Sequence, residues 1–239
     1  MQLSLLPKSA PLVEGFDIAG SSRPAREVGG DFFDYLSLTD GKSGIALADV
    51  SGKGLKSAMN AVLASGMLHV LASGMIHELV KIEVSCGEIL SVLNAHLYPR
   101  MEKQMFTALG LAIFDQNATT LKWANAAQPY PIVKRGEQVF EFESESDLPL
   151  GMMRNLEYQD WELELRAGDI VIFYTDGIIE AENETEEMYG TERLEQIITN
   201  ISSTISAEEI IKTILQDVDD FVGTAEQYDD MTVVVVKKL

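Results

Sequence analysis

The apolar positions of this 239-residue chain fall into short, nearly unbroken runs separated by turn residues, with longer stretches at helical spacing between them. The runs predict strands over 14–22, 32–39, 44–50, 106–115, 119–126, 130–134, 138–142, 158–165, 169–175 and 231–237. Asp40-Gly41, Gln116-Asn117, Arg135-Gly136 and Ala167-Gly168 supply turn chemistry between several of them. A helix is predicted over 55–75, where Met59, Val62, Leu63, Met67, Val70 and Leu71 recur at helical spacing beside the small Ala58 and Gly66. A second is predicted over 85–104 from Ile89, Leu90, Leu93 and Leu97, with Ser85 as N-cap and Glu88 completing a capping box. Two more fit 191–200 and 207–222.

The texture of the strands constrains how they pack. Ile45–Val50, Ala108–Phe114, Ile170–Tyr174 and Val233–Val236 are almost continuously apolar, as a strand is when both its faces are covered. Short connections favour antiparallel pairing, and about ten strands exceed a comfortable single twisted sheet. The expected fold is therefore α+β: a four-layer αββα sandwich of two largely antiparallel sheets flanked by helices. Residues 1–13 read as an extended lead-in, since Pro7 and Pro11 oppose helix. Without an internal repeat or a long linker, 14–239 reads as one domain.

Charge narrows the range of partners. The 38 Asp and Glu against 18 Lys and Arg give a formal net charge of −20, which repels nucleic-acid phosphates and anionic membranes. No window approaches the apolar length of a membrane span, so neither nucleic-acid binding nor membrane insertion is expected. The opening MQLSLLPKSAP lacks a basic stretch followed by a long apolar one, and the single Cys86 permits no internal disulfide. A cytoplasmic location is the expectation.

Most of the acidic excess reads as solvated surface, but four segments do not: VGGDFFD at 28–34, DVSGKG at 49–54, TDG at 175–177 and DDMT at 229–232. Each sets an aspartate at the edge of an apolar strand. A lone Asp-Gly is ordinarily a turn; four such edges are harder to dismiss. If the sandwich gathers them on one rim, the carboxylates raise one another's pKa, and holding them ionised requires cations. Oxygen-only ligands select Mg²⁺ or Mn²⁺ over zinc. Other motifs fail. DVSGKG is not a P-loop, because Leu47 and Gly54 stand where glycine and Ser/Thr are needed. His69, His77 and His96 read as helix or packing positions, and Cys86 as structural.

In this order, the segments resemble the RsbU/SpoIIE-type branch of the PPM metal-dependent protein phosphatases. The resemblance runs from LLPKSAP at 5–11 through FTALGLAIFD, LKWANAAQPYP, LPLGM and LRAGDIVIFYTDGIIEAEN to DDMTVVVV at 229–236. It implies a dinuclear Mn²⁺ or Mg²⁺ site that dephosphorylates phosphoserine or phosphothreonine. Carried over by position, Asp49 bridges both metals and Asp31 and the Val50 carbonyl serve one of them. Asp176 and Asp229 bind the other, and Asp230 is a ligand or supports one. Asp49 and Asp31 are the catalytic candidates, with a metal-held water attacking phosphorus in line and no phosphoenzyme.

Two positions depart from the wider family. No histidine follows Asp49 as a general acid, and Ala126-Ala127-Gln128 stands where Ala-Gly-His is usual. Arg26, Lys53 and Lys56 flank the motifs as candidate phosphate contacts. The resemblance further implies a phosphorylated STAS-domain anti-anti-sigma-type protein as substrate and an upstream sensor or regulatory domain. A homodimer is compatible with it. The competing reading is a catalytically silent PPM-fold binding module that recognises a partner without turning it over.

Overall fold

The computed structural model describes residues 6–7, 9–38, 41–52, 54–72, 85–101, 105–114, 119–144 and 148–239. In chain order these form β1 (Phe16–Arg23), β2 (Phe32–Ser37), β3 (Ser43–Val50), α1 (Leu55–Ala72), α2 (Cys86–Leu97), β4 (Thr107–Phe114), β5 (Thr120–Ala126), β6 (Ile132–Arg135), β7 (Gln138–Glu141) and β8 (Trp161–Glu164). There follow β9 (Ile170–Tyr174), α3 (Asp176–Ile179), α4 (Thr191–Asn200), α5 (Ala207–Val222) and β10 (Met231–Lys238). One sheet has the order β1-β10-β9-β6-β7 and the other β2-β3-β4-β5-β8. Every pairing is antiparallel.

The unbroken apolar runs resolve into two alternating sets. In β10, Val233 and Val235 face α4 and α5, while Val234 and Val236 enter the core between the sheets. In β3, Ala46, Ala48 and Val50 face α1 and α2, while Ile45 and Leu47 point inward. Three cores follow, and the layers are αββα. The inner one is closed by Trp123 of one sheet against Phe173 of the other, their ring centroids 5.1 Å apart.

Helix ends follow local chemistry. Ser85 caps α2, its Oγ accepting from the Glu88 amide at 3.0 Å. A complete capping box, absent from the sequence-based expectations, forms at Ser206 and Glu209 at the start of α5. Asp17 adds a carboxylate to that terminus, accepting from the Ala207 amide at 2.8 Å.

Two helical expectations need correction. The helix predicted over 85–104 stops at Leu97, because Pro99 has no N–H with which to continue the ladder. In α1 the expected apolar face included Met59, Val62 and Val70, which are exposed; Ala58 and Leu71 of that face are buried as expected, together with Ala61, Ala64 and Leu68. The helix is apolar nearly all round, so periodicity alone does not select its inner face. The end of the prediction at 73–75 and the turns at Asp40-Gly41 and Gln116-Asn117 lie wholly or partly outside the described residues, as do His77 and Lys53.

His69 does more than pack. Its Nε2 lies 2.7 Å from the buried Asp34 carboxylate, which also accepts from Ser65 Oγ at 2.9 Å, so α1 is tied to β2 by polar contacts. Cys86 is buried, and that burial pushes its thiol well above its ordinary pKa, as suits a structural residue.

Gly110 on β4 lies directly under the Trp123 ring, and a Cβ there would collide with it. Gly110→Ala is expected to cost about 1–3 kcal/mol through overpacking. Urea unfolding followed by circular dichroism measures this; a loss near zero would show that the ring can move aside.

Candidate functional site

Period-2 arithmetic places the polar ends of four strands. Phe33 on β2 and Leu47 on β3 face the inner core, so Asp31 and Asp49 take the same faces two residues further on. Phe173 on β9 and Val234 on β10 do likewise, which aims Thr175 and Thr232 inward. The register then brings them together. Asp31 and Asp49 come abreast one step past the Phe32–Ala48 pair, and Thr175 and Thr232 one step past Tyr174–Val233. All four lie at the same end of the sandwich.

There the two sheets are bonded to each other. Asp31 is buried, and its Oδ2 accepts hydrogen bonds from Thr175 Oγ1 and Thr232 Oγ1, both at 2.7 Å. Thr175 Oγ1 in turn accepts from the Thr232 amide at 3.0 Å. Burial, then the neighbouring Asp49 charge, pushes Asp31 well above the usual carboxylate range against these two hydroxyl donors.

Asp230 has a different role from its neighbour. One of its oxygens accepts from the Ala25 amide at 2.8 Å; the other accepts from the Gly30 and Asp31 amides at 2.6 and 3.2 Å. Its carboxylate therefore anchors the loop that delivers Asp31. Two glycines make room for it: a Cβ on Gly29 would strike the Asp230 side chain, and one on Gly177 its carbonyl. Arg26 is exposed in the same anchored loop, next to Ala25, and Lys56 is exposed in the first turn of α1.

The remaining acids face Asp49. Burial, then Asp176, Asp229, Asp230 and Glu180, pushes its pKa up to about 7. Asp176 opens α3, and burial and Asp229 raise it too. Glu180 follows one helical turn later and is raised by burial, Asp176 and Asp229. Asp49, Asp176, Asp229 and Glu180 thus share one field of negative charge. They do not form a closed cage: among the described residues no three His, Cys, Asp or Glu side chains are arranged to hold a metal ion. Like charges hold apart unless a cation lies between them, and an all-oxygen set of this kind suits a hard divalent ion.

Sequence reasoning missed Thr175, Thr232 and Glu180. The threonines sat inside TDG and DDMT and could have been found from strand parity. Glu180 could have been found from its four-residue spacing to Asp176.

A sandwich of two antiparallel sheets with this helix placement is the fold of PP2C-type phosphatase domains. The SiaA-PP2C domain of Pseudomonas aeruginosa matches it with a TM-score of 0.77 at 22% identity, covering 92% of this chain and 84% of that one. The family model for Stage II sporulation protein E (SpoIIE) matches residues 39–238, so the chain belongs to the SpoIIE family of PPM-type serine phosphatases. Phosphoserine phosphatase RsbU of Bacillus subtilis is 25% identical over 242 residues, covering 100% of this chain and 68% of RsbU. Protein IcfG of Synechocystis sp. is 27% identical over 256 residues, covering 99% of this chain and 40% of IcfG. The chain therefore spans less than half the length of IcfG. No helix among the described residues is long and apolar enough to cross a membrane.

The raised Asp49 pKa sets a pH dependence for the metal-free protein. Between the unfolded value near 3.8 and about 7 the folded state keeps a proton that the unfolded chain has released. Stability from this group therefore falls as pH rises through that window and stays low above it. Metal-free Asp49→Asn is expected to melt about 2–4 °C above the wild type at pH 8, with the gap closing at pH 4. A variant that melts lower than wild type at both pH values would contradict the charge-crowding account.

Proposed function

We propose that this chain is a metal-dependent protein phosphatase that hydrolyses phosphoserine or phosphothreonine on a partner protein. The observation that carries the reading is the meeting of Asp49 with Asp176 and Asp229 at one rim, where like charge and burial hold Asp49 up to about 7. Asp49, Asp31 and the Val50 carbonyl would hold one cation, and Asp49 with Asp176 and Asp229 would hold a second. When bound, Mn²⁺ or Mg²⁺ ions supply an activated water at neutral pH and neutralise charge on the phosphoryl oxygens.

The chain's own groups position that chemistry. Thr175 and Thr232 fix the Asp31 carboxylate by two hydrogen bonds. Asp230 supports without ligating, since its two oxygens are engaged by three backbone amides. Arg26, in the loop Asp230 anchors, meets the phosphate from outside; Lys53 is the second candidate for that contact. Likeness to phosphoserine phosphatase RsbU supports a phosphoserine substrate; the substrate proposed for this chain is a phosphorylated STAS-domain regulator, with a sensor or regulatory module as its upstream partner. The competing reading is a binding module of the same fold that turns nothing over.

Hydrolysis of p-nitrophenyl phosphate and of a phosphoserine protein, with and without Mn²⁺, tests the proposal. Mn²⁺-dependent turnover of both is expected, and Asp49→Asn or Asp229→Asn should each lower it at least about a hundredfold. Mn²⁺ binding by calorimetry without hydrolysis of either substrate would favour the binding module. Near-normal rates in either variant would overturn the ligand assignment.

A further inference from the structure

One buried polar group at the rim is left over. Ser57, on the first turn of α1, is fully buried, and its Oγ has no hydrogen-bond partner among the described residues. A serine hydroxyl can donate one hydrogen bond and accept two, and burying it unpaired is unfavourable. Such groups in native proteins are ordinarily satisfied, by water where protein atoms do not reach.

The surroundings of Ser57 show what it is aimed at. Gly30 lacks the side chain that would collide with its neighbours here, and three oxygens pack close around it. The place where a Cβ would begin lies 2.5 Å from the Val50 carbonyl oxygen, 2.7 Å from Ser57 Oγ and 3.3 Å from Asp49 Oδ1. The Val50 amide donates to the Gly30 carbonyl at 3.3 Å, which keeps the two backbones in register. Two of the three oxygens are acceptors only; Ser57 is the one that can donate.

We propose that Ser57 is a positioning residue of the cation site, an inference that rests on the function proposed above. Its hydroxyl hydrogen-bonds in the outer shell of the ion held by Asp49 and the Val50 carbonyl, through a water shared among these three oxygens. This fixes the orientation of the Asp49 carboxylate relative to the Val50 carbonyl and ties the start of α1 to the acidic rim. A purely structural serine would contribute only packing, which cysteine also supplies.

Titration calorimetry with MnCl₂ on wild type, Ser57→Ala and Ser57→Cys, beside metal-free melting curves, tests this. Cysteine keeps the volume and gives up most of the hydrogen-bonding strength. Both variants are expected to bind Mn²⁺ about tenfold more weakly than wild type. Their metal-free melting temperatures are expected to stay within about 2 °C of it. If Ser57→Ala does not fold, Ser57→Cys alone decides. Affinities within about twofold of wild type would overturn the assignment, because loss of an outer-shell partner typically costs more. Wild-type affinity in Ser57→Cys alone, with Ser57→Ala weakened, would overturn it as well, since volume and not the hydroxyl would then be the cause. A wild-type protein that binds no Mn²⁺ would overturn this inference together with the proposed function, whereas intact wild-type binding with unchanged variants removes the inference alone.

Discussion

The rim of this sandwich depends on hydrogen bonds that run between sheets rather than within them. Asp31 belongs to the β2 sheet, yet its carboxylate is held by Thr175 and Thr232 of the other. Asp230 belongs to the β10 sheet, yet it holds the amides of Gly30 and Asp31 across the gap. Packing of apolar faces is non-directional and would leave the relative slide of the two sheets loosely set. Directional bonds at one end set it, and with it the separation between Asp49 on one layer and Asp176 and Asp229 on the other.

The same bonds divide the aspartates into kinds. Asp230 is stabilised by three N–H donors and needs nothing further. Asp49 is surrounded by groups of its own sign, and its pKa is pushed up to about 7. A carboxylate satisfied by the backbone serves the fold; one left in a field of like charge is poised for a cation. Of the adjacent pair, Asp229 accepts at Oδ1 from the Asp230 amide at 2.8 Å, while Asp230 accepts from the amides of Ala25, Gly30 and Asp31.

Much of the architecture was legible because the strands are buried on both faces, and a short run such as Val233–Val236 fits little else than a strand covered on both sides. Helix α1 was legible as a helix but not in its orientation, since Val62 and Val70 are as apolar as Leu68 and Leu71 and only the packing separates them. At the site, the aspartates stood out because charge at the end of an apolar run is conspicuous. Thr175, Thr232 and Ser57 did not, because a hydroxyl beside a strand looks the same whether it faces water or a carboxylate across a sheet gap. Their roles follow from contacts spanning up to 201 residues of chain, as between Asp31 and Thr232, and local pattern does not report such pairs. The Asp34–His69 pair was missed for the same reason.

The placement of β10 links assembly to chemistry. It is the last strand in chain order, yet it lies inside its sheet, between β1 and β9, and Asp229 and Asp230 directly precede it. Strand β1 cannot pair until a segment more than two hundred residues distant arrives, a loop closure of high entropic cost and slow formation. Until that strand docks, neither the second sheet nor the acidic rim is complete, so the carboxylates of the rim meet only once the two ends of the chain have come together.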